Sequence, residues 1–190
     1  MSFFDSLLGR TRPTPSHLEQ LFAMSTAYIT LQAKLELRSD GRAGICFKPV
    51  TSSAFGQAEK EIEDLLRVSS RTTGSAIRTS KDEYGFRWII VEDPDFEDLV
   101  TTIHMVSQSL HEHGFKDQLL AALFHFRDSE DRPVLWVYSY KRGKFYPFVP
   151  LGTGNQRDNA RELHLRSVME GELPVEPDLE RWYPLWGVPL

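Results

Sequence analysis

Apolar side chains recur at helical intervals in several stretches of the chain. Leu21, Met24, Tyr28, Leu31 and Leu35 step by three and four residues, the spacing of one helix face. Ser16 is placed to cap this helix, with Glu19 completing an S-x-x-E box. Ser25-Thr26 marks a point where it divides into two pieces. A second helix starts near Ser53 and turns Phe55, Ala58, Ile62, Leu65 and Leu66 inward. A third opens at "DPDF", with Pro94 accommodated in its first turn. Phe96, Leu99, Ile103, Val106 and Leu110 form its inward stripe, and Gly114 stops it. A fourth runs from about Arg157 to Glu170, capped by Asp158 or Asn155.

Between these helices lie shorter apolar runs. Gly44 to Lys48 reads as a buried strand closed by Pro49, and Tyr84 to Glu92 as another around "WIIV". From Gln118 to Val149, "LLAALFHF", "VLWVYSY" and "KFYPFV" form a meander with "RDSEDRP" as its first turn. Arg38 to Arg42, with Asp40-Gly41, reads as a turn, and "SSRTTGS" as a loop. The meander turns are too short for parallel crossovers. The expected fold is therefore α+β, with one mainly antiparallel sheet and helices mostly on one face. Residues 1–15 form an N-terminal amphipathic segment and tether, and 16–190 one domain.

The stretch "KRGKFYPFVP" combines basic and aromatic residues at residues 141 to 150. With Arg142-Gly143 as a two-residue turn, Lys141 faces Lys144, Tyr140 faces Phe145 and Ser139 faces Tyr146. Trp136, Tyr138, Tyr140 and Phe145 then share one sheet face. Lys141, Lys144, Ser139 and Tyr146 share the other. Aromatic rings segregate from charges, which makes a core face and a solvent face rather than a base-stacking platform.

Composition narrows the function. With 190 residues, 41% of them hydrophobic, the chain builds a core without metal or disulfide staples. A net charge of −5 and a pI of about 5.7 argue against general nucleic-acid binding. The lone Cys46 has no intramolecular disulfide partner, which suits a reducing cytoplasm. No secretory signal and no membrane-length apolar run is present in the sequence. Phe3, Phe4, Leu7 and Leu8 make a short apolar face before "TRPTP". It folds back onto the body or anchors to a membrane or partner.

Candidate chemistry is sparse. His104 and His111 share a helix face but lie two turns apart, too far to chelate one ion, and no H-E-x-x-H or C-x-x-C occurs. Cys46 sits in an apolar strand, the setting of an inert thiol. "EKEIEDLL" and "EDPDFED" read as solvated helix faces and dipole-favoured N-terminal charge. "PLGTGNQRDNARE" places two glycines before a helix, an anion-binding arrangement without phosphate-loop spacing. The tail "RWYPLWGVPL" is too apolar to stay bare: it packs back over the body or meets a partner, and packing back is the expectation. No catalytic residue, metal site or cofactor is expected.

Several strings in order, "FFDSLLGR", "LEQLFAMSTAYITLQ", "GICFKP", "YGFRWIIV", "YKRGKFYPFVP", "RDNARELHLRS" and "RWYPLWGVP", resemble the PspA-associated protein B (PspAB) family. The likeness spans nearly the whole chain. It implies a role beside PspA in a phage-shock-type envelope stress response that maintains the membrane, and it carries over no catalytic set. The expected function is a non-enzymatic cytoplasmic adaptor for a PspA-family coiled-coil protein, with peripheral association at the inner face of the cell membrane. The alternative is a domain for a small or anionic ligand, with or without enzymatic activity, with its site near residues 141–161. Candidate partner-binding residues are Lys141, Arg142, Lys144, Tyr146, Arg157 and Arg161. Phe3, Phe4, Leu7 and Leu8 are candidate membrane or partner contacts.

Overall fold

A computed structural model describes residues 17–48, 75–152 and 154–190, together with Lys60 and Asp64. The expectations for Phe3, Phe4, Leu7 and Leu8, for the Ser16 cap, for the helix near Ser53 and for most of "SSRTTGS" lie outside these residues.

A 3-10 turn, Glu19–Phe22, leads into α1, Ala23–Leu35. The change of helix type falls at Phe22, not at Ser25-Thr26. Glu36 ends α1 in the left-handed conformation (φ 53°). The strand β1 then runs from Arg38 to Phe47, so the expected turn at Arg38 to Arg42 is strand instead. Asp40 and Gly41 are accommodated as a bulge, because the register against the neighbouring strand shifts between Ser39 and Arg42. Gly41 has φ +75°, and a Cβ there would lie 2.9 Å from the Asp93 carbonyl oxygen.

Two strands, β2 (Ala76–Lys81) and β3 (Arg87–Glu92), form a hairpin. The apolar pattern gave β3 but not β2, whose "AIRTSK" is a mostly exposed edge. Tyr84 lies in the turn between them rather than in the strand. The Asp82 carboxylate organises that turn, accepting from the Tyr84 and Phe86 amides and from Trp88 Nε1. Helix α2 spans Phe96–Leu110. Asp95 caps it by accepting from the Glu97 and Asp98 amides, so Pro94 precedes the cap rather than entering the first turn. Gly114 ends this segment at φ 84°.

The expected meander is present as β4 (Leu119–Arg127), β5 (Pro133–Ser139) and β6 (Lys144–Phe148). Short strands β7 (Pro150–Leu151) and β8 (Gln156–Arg157), on either side of "GTGN" in the sequence, pair as a small ribbon. Helix α3, Asn159–Met169, follows with Asp158 as its cap. The main sheet has the order β2-β3-β1-β4-β5-β6, antiparallel throughout.

One sheet face packs on the helices. Ile45, Phe47, Phe124 and Trp136 meet Met24, Leu31, Leu99, Ile103 and Leu165 there. The opposite face carries Cys46, Trp88, Ile90, Leu123, Val137, Tyr146 and Phe148. It is not the solvent face that alternation predicts. The C-terminal segment crosses it and packs Trp182, Leu185, Trp186, Val188 and Leu190 onto it. The same segment closes the β6 edge: Phe145 N–H donates to Pro174 O (2.9 Å) and Glu176 N–H to Phe145 O (2.8 Å). The expectation that the tail packs back is met in this way.

Candidate functional site

The β5–β6 connection decides where the basic residues go. Ser139 pairs with Lys144 and Tyr138 with Phe145, so the loop is Tyr140 to Gly143 and not Arg142-Gly143 alone. The register differs from expectation by two residues. An even step leaves every side chain on its expected face. Arg142 N–H and Gly143 N–H both donate to Ser139 O, at 3.1 and 2.8 Å. Gly143 adopts φ +63°, and a Cβ there would run into Gln20 Oε1 and lie 3.1 Å from His17 Cγ. The glycine thus serves a turn and a close approach of the hairpin to the segment before α1. Tyr138 Oη donates to the His17 carbonyl, and Tyr140 Oη meets Ser107 Oγ on α2. The hairpin tip is fastened at its base to two other elements.

At the tip, Lys141 is exposed and Lys144 half-buried. Neither takes part in an ion pair among those seen for the described residues. Arg142, by contrast, grips the buried Glu176 with two hydrogen bonds, Nε to Oε2 at 2.7 Å and Nη2 to Oε1 at 3.3 Å. Burial would raise the Glu176 carboxyl, but Arg142 and the Asp178 amide outweigh it and hold it below the usual range. Tyr146 is buried on the tail side and donates to Tyr183 O at 3.0 Å.

Arg157 and Arg161 are engaged as well. Arg157 contacts Glu162 and donates to Trp182 O (2.7 Å), with its guanidinium 5.2 Å from the Phe148 ring centre. Arg161 Nη2 lies 2.8 Å from Asp128 Oδ2. Asp128 also receives Arg132 and the Glu130 and Arg132 amides. Of the six residues named from sequence, the fold therefore leaves two charged groups facing outward at the tip. The helix N-terminus after "GTGN" is satisfied by its own cap, since Asp158 Oδ1 accepts from Arg161 N–H at 2.9 Å.

One polar cluster had no signal in the sequence, where Asp40 reads as a turn residue. Asp40 Oδ2 accepts from Arg42 Nη2 at 2.5 Å and lies 2.7 Å from His125 Nδ1 and 3.4 Å from Arg127 Nε. The His125 contact lies outside hydrogen-bond geometry. Burial pushes this carboxyl up, but His125 and Arg42 dominate and bring it down to about 2. So acidic a group is a poor proton acceptor near neutrality. The cluster is an ion-pair hub that pins the bulge of β1 to β4.

Cys46 is buried, and burial followed by the charge of Asp82 pushes its thiol up to about 12. His104 packs on Phe22, with ring centroids 4.3 Å apart, and desolvation lowers it. Among the described residues, no group of three or more His, Cys, Asp or Glu is arranged to hold a metal ion. Among the same residues, no helix is long and apolar enough to cross a membrane.

No curated protein and no solved structure matches the chain. The family model for PspA associated protein B matches residues 1–190, its entire length. The chain belongs to the PspA associated protein B family.

Proposed function

We propose that the protein is a non-enzymatic adaptor that binds a PspA-family coiled-coil protein through the tip of the β5–β6 hairpin. Lys141 and Lys144 supply the charged contacts. The whole-chain family match supports the partner. The observation that carries the site is the contrast at the tip: Arg142, Arg157 and Arg161 are engaged by internal carboxylates, while Lys141 and Lys144 project from a hairpin braced by His17, Gln20 and Ser107. A rigid, cationic projection suits an acidic surface on a helical partner, and charges at a contact rim act mainly on association rate and specificity. In this reading the adaptor works on the cytoplasmic side of the membrane during envelope stress, brought to the membrane by its partner.

The test is co-purification with the PspA-family protein of the same organism, with and without membranes. The wild-type chain is retained. The Lys141→Glu/Lys144→Glu double variant loses retention while its melting temperature is unchanged. Absence of wild-type retention overturns the adaptor reading. Retention untouched by the double variant removes the tip as the contact.

A further inference from the structure

The C-terminal segment that crosses the second sheet face is held in two different ways along its length. Residues 173–182 are tied through the main chain and by buried polar groups. Phe145 shares main-chain bonds with Pro174 and Glu176, Arg142 grips Glu176, Trp182 Nε1 donates to Glu176 O, and Arg157 donates to Trp182 O. Beyond Trp182 these ties stop. Among the described residues, no backbone–backbone hydrogen bond involves residues 183–190. Two side chains reach them instead, Tyr146 Oη to Tyr183 O and Arg78 Nη2 to Pro189 O, each at 3.0 Å. Leu185, Trp186, Val188 and Leu190 are only partly buried, whereas Cys46, Trp88, Ile90 and Leu123 on the face they pack against are buried.

The sheet nevertheless has a seat for this segment. Gly44 lies inside β1, paired with Ile90 of β3 and Leu123 of β4. A glycine in a central strand weakens it and marks a place where another group approaches closely. Here that group is Leu190: a Cβ on Gly44 would lie 3.1 Å from Leu190 Cδ2 and 3.4 Å from Trp88 Cε3. Cys46 stands two residues further along β1, on the same side of the sheet. A segment seated by side chains, without a backbone ladder, opens at a lower free energy than the sheet beneath it unfolds. The exposed Tyr183–Pro184 pair is where the two modes of attachment meet.

We propose that residues 183–190 are a strap that swings off the sheet about Tyr183–Pro184 while residues 173–182 and the sheet stay in place, uncovering the apolar face around Gly44, Cys46 and Trp88. Closed, the strap covers the part of that face that lies over β1 and β3. Open, it presents Trp88 and Ile90 together with its own Leu185, Trp186 and Val188, so the chain holds a hydrophobic surface in reserve rather than displaying it. The Cys46 thiol, which burial keeps neutral, becomes reachable in the open form. This proposal does not depend on the hairpin tip or on the adaptor reading.

Cys46 is the only cysteine of the chain, so its labelling by N-ethylmaleimide reads the opening directly. Labelling of the full chain is followed as urea is raised. At low urea the expected rate hardly changes with denaturant, because opening the strap exposes little surface, and it turns upward only where global unfolding takes over. Leu190→Ala raises the low-urea rate about tenfold, by removing the side chain seated on Gly44. Arg78→Met raises it less, since one polar tie is lost. Ile103→Val, in the core on the other sheet face, lowers the urea midpoint and leaves the low-urea rate alone, because its contacts persist in the open form. Labelling that climbs with the global urea slope from zero urea overturns the proposal. So does a rate that Leu190→Ala leaves unchanged, or one that Ile103→Val raises in step with the loss of global stability.

Discussion

The guanidinium of Arg157 forks onto the buried carboxylate of Glu162, with Nε 2.9 Å from both oxygens and Nη2 2.8 Å from Oε2. Glu162 Oε1 also accepts from Val149 N–H at 2.8 Å, and Arg157 Nη1 donates to the Trp182 carbonyl at 2.7 Å. One ion pair therefore joins α3, the end of β6 and the C-terminal segment. Burial raises the Glu162 carboxyl despite Arg157 and the Val149 amide, so the charged form relies on its partner. Arg157→Met leaves that carboxylate buried and unpaired, at a cost of about 3 kcal/mol. Urea unfolding with an unchanged slope is the measurement, and a loss below about 1 kcal/mol contradicts the account.

Trp182 is the most deeply buried of the apolar side chains that residues 182–190 pack on the second sheet face. It is 5% exposed, its ring stacks near Tyr146, and its Nε1 donates to Glu176 O at 3.0 Å. Trp182→Ala removes this side chain from a packed site and costs about 3–5 kcal/mol. Increased binding of a hydrophobic dye accompanies it, because Tyr146 loses its stacked cover. Unchanged dye binding would show that the tail stays in place without its tryptophan.

Acid weakens the Asp40 hub. The folded carboxyl lies at about 2 against an ordinary 3.8. A depressed carboxyl contributes stability that is complete above the unfolded value and is lost as pH falls through the folded one. The melting temperature therefore falls between pH 4 and pH 2, and Asp40→Asn flattens that limb. Glu162 acts with the opposite sign: its raised carboxyl makes stability fall as pH climbs past the ordinary 4.5. An acid limb as steep in Asp40→Asn as in the wild type rules out the hub as its source.

Gly143→Ala tests the hairpin tip as a folded unit. The φ of +63° costs an L-residue about 1–2 kcal/mol. The approach to His17 and Gln20 adds strain that side-chain movement partly relieves. Destabilisation of about that size, with the sheet's circular dichroism preserved, is expected. A neutral substitution would mean that the tip does not press on the segment before α1.

Elements with one buried stripe were the most legible. The inward residues of α1 and α2 follow from spacing, because burial against a single neighbour leaves a strict periodic trace; the three strands of the meander show instead as short continuous apolar runs, because both of their faces are covered. Edge and bulge geometry left no such trace. "AIRTSK" carries one aliphatic side chain beyond its alanine, so β2 is held in the sheet by its backbone ladder to β3 rather than by a hydrophobic pattern. Asp40-Gly41 has the composition of a turn, and the chain uses it as a bulge because β3 and β4 pair with β1 on both sides. In the hairpin, the loop length was off while the face assignment held, since parity survives an even change of register.

Residue order alone dictates which positions are apolar at helical or strand spacing, that the sheet is antiparallel, and which side of the hairpin each aromatic and each lysine takes. Those properties are local, set by repeat and turn length. Long-range packing, and nothing in the local pattern, selects which basic residues stay outside internal ion pairs. Arg142, Arg157 and Arg161 look equivalent to Lys141 and Lys144 in the sequence. Their carboxylate partners lie 34, 5 and 33 positions away, at Glu176, Glu162 and Asp128. Pairing between separated segments depends on how the tail crosses the sheet and how α3 packs, and neither leaves a periodic signal in the chain.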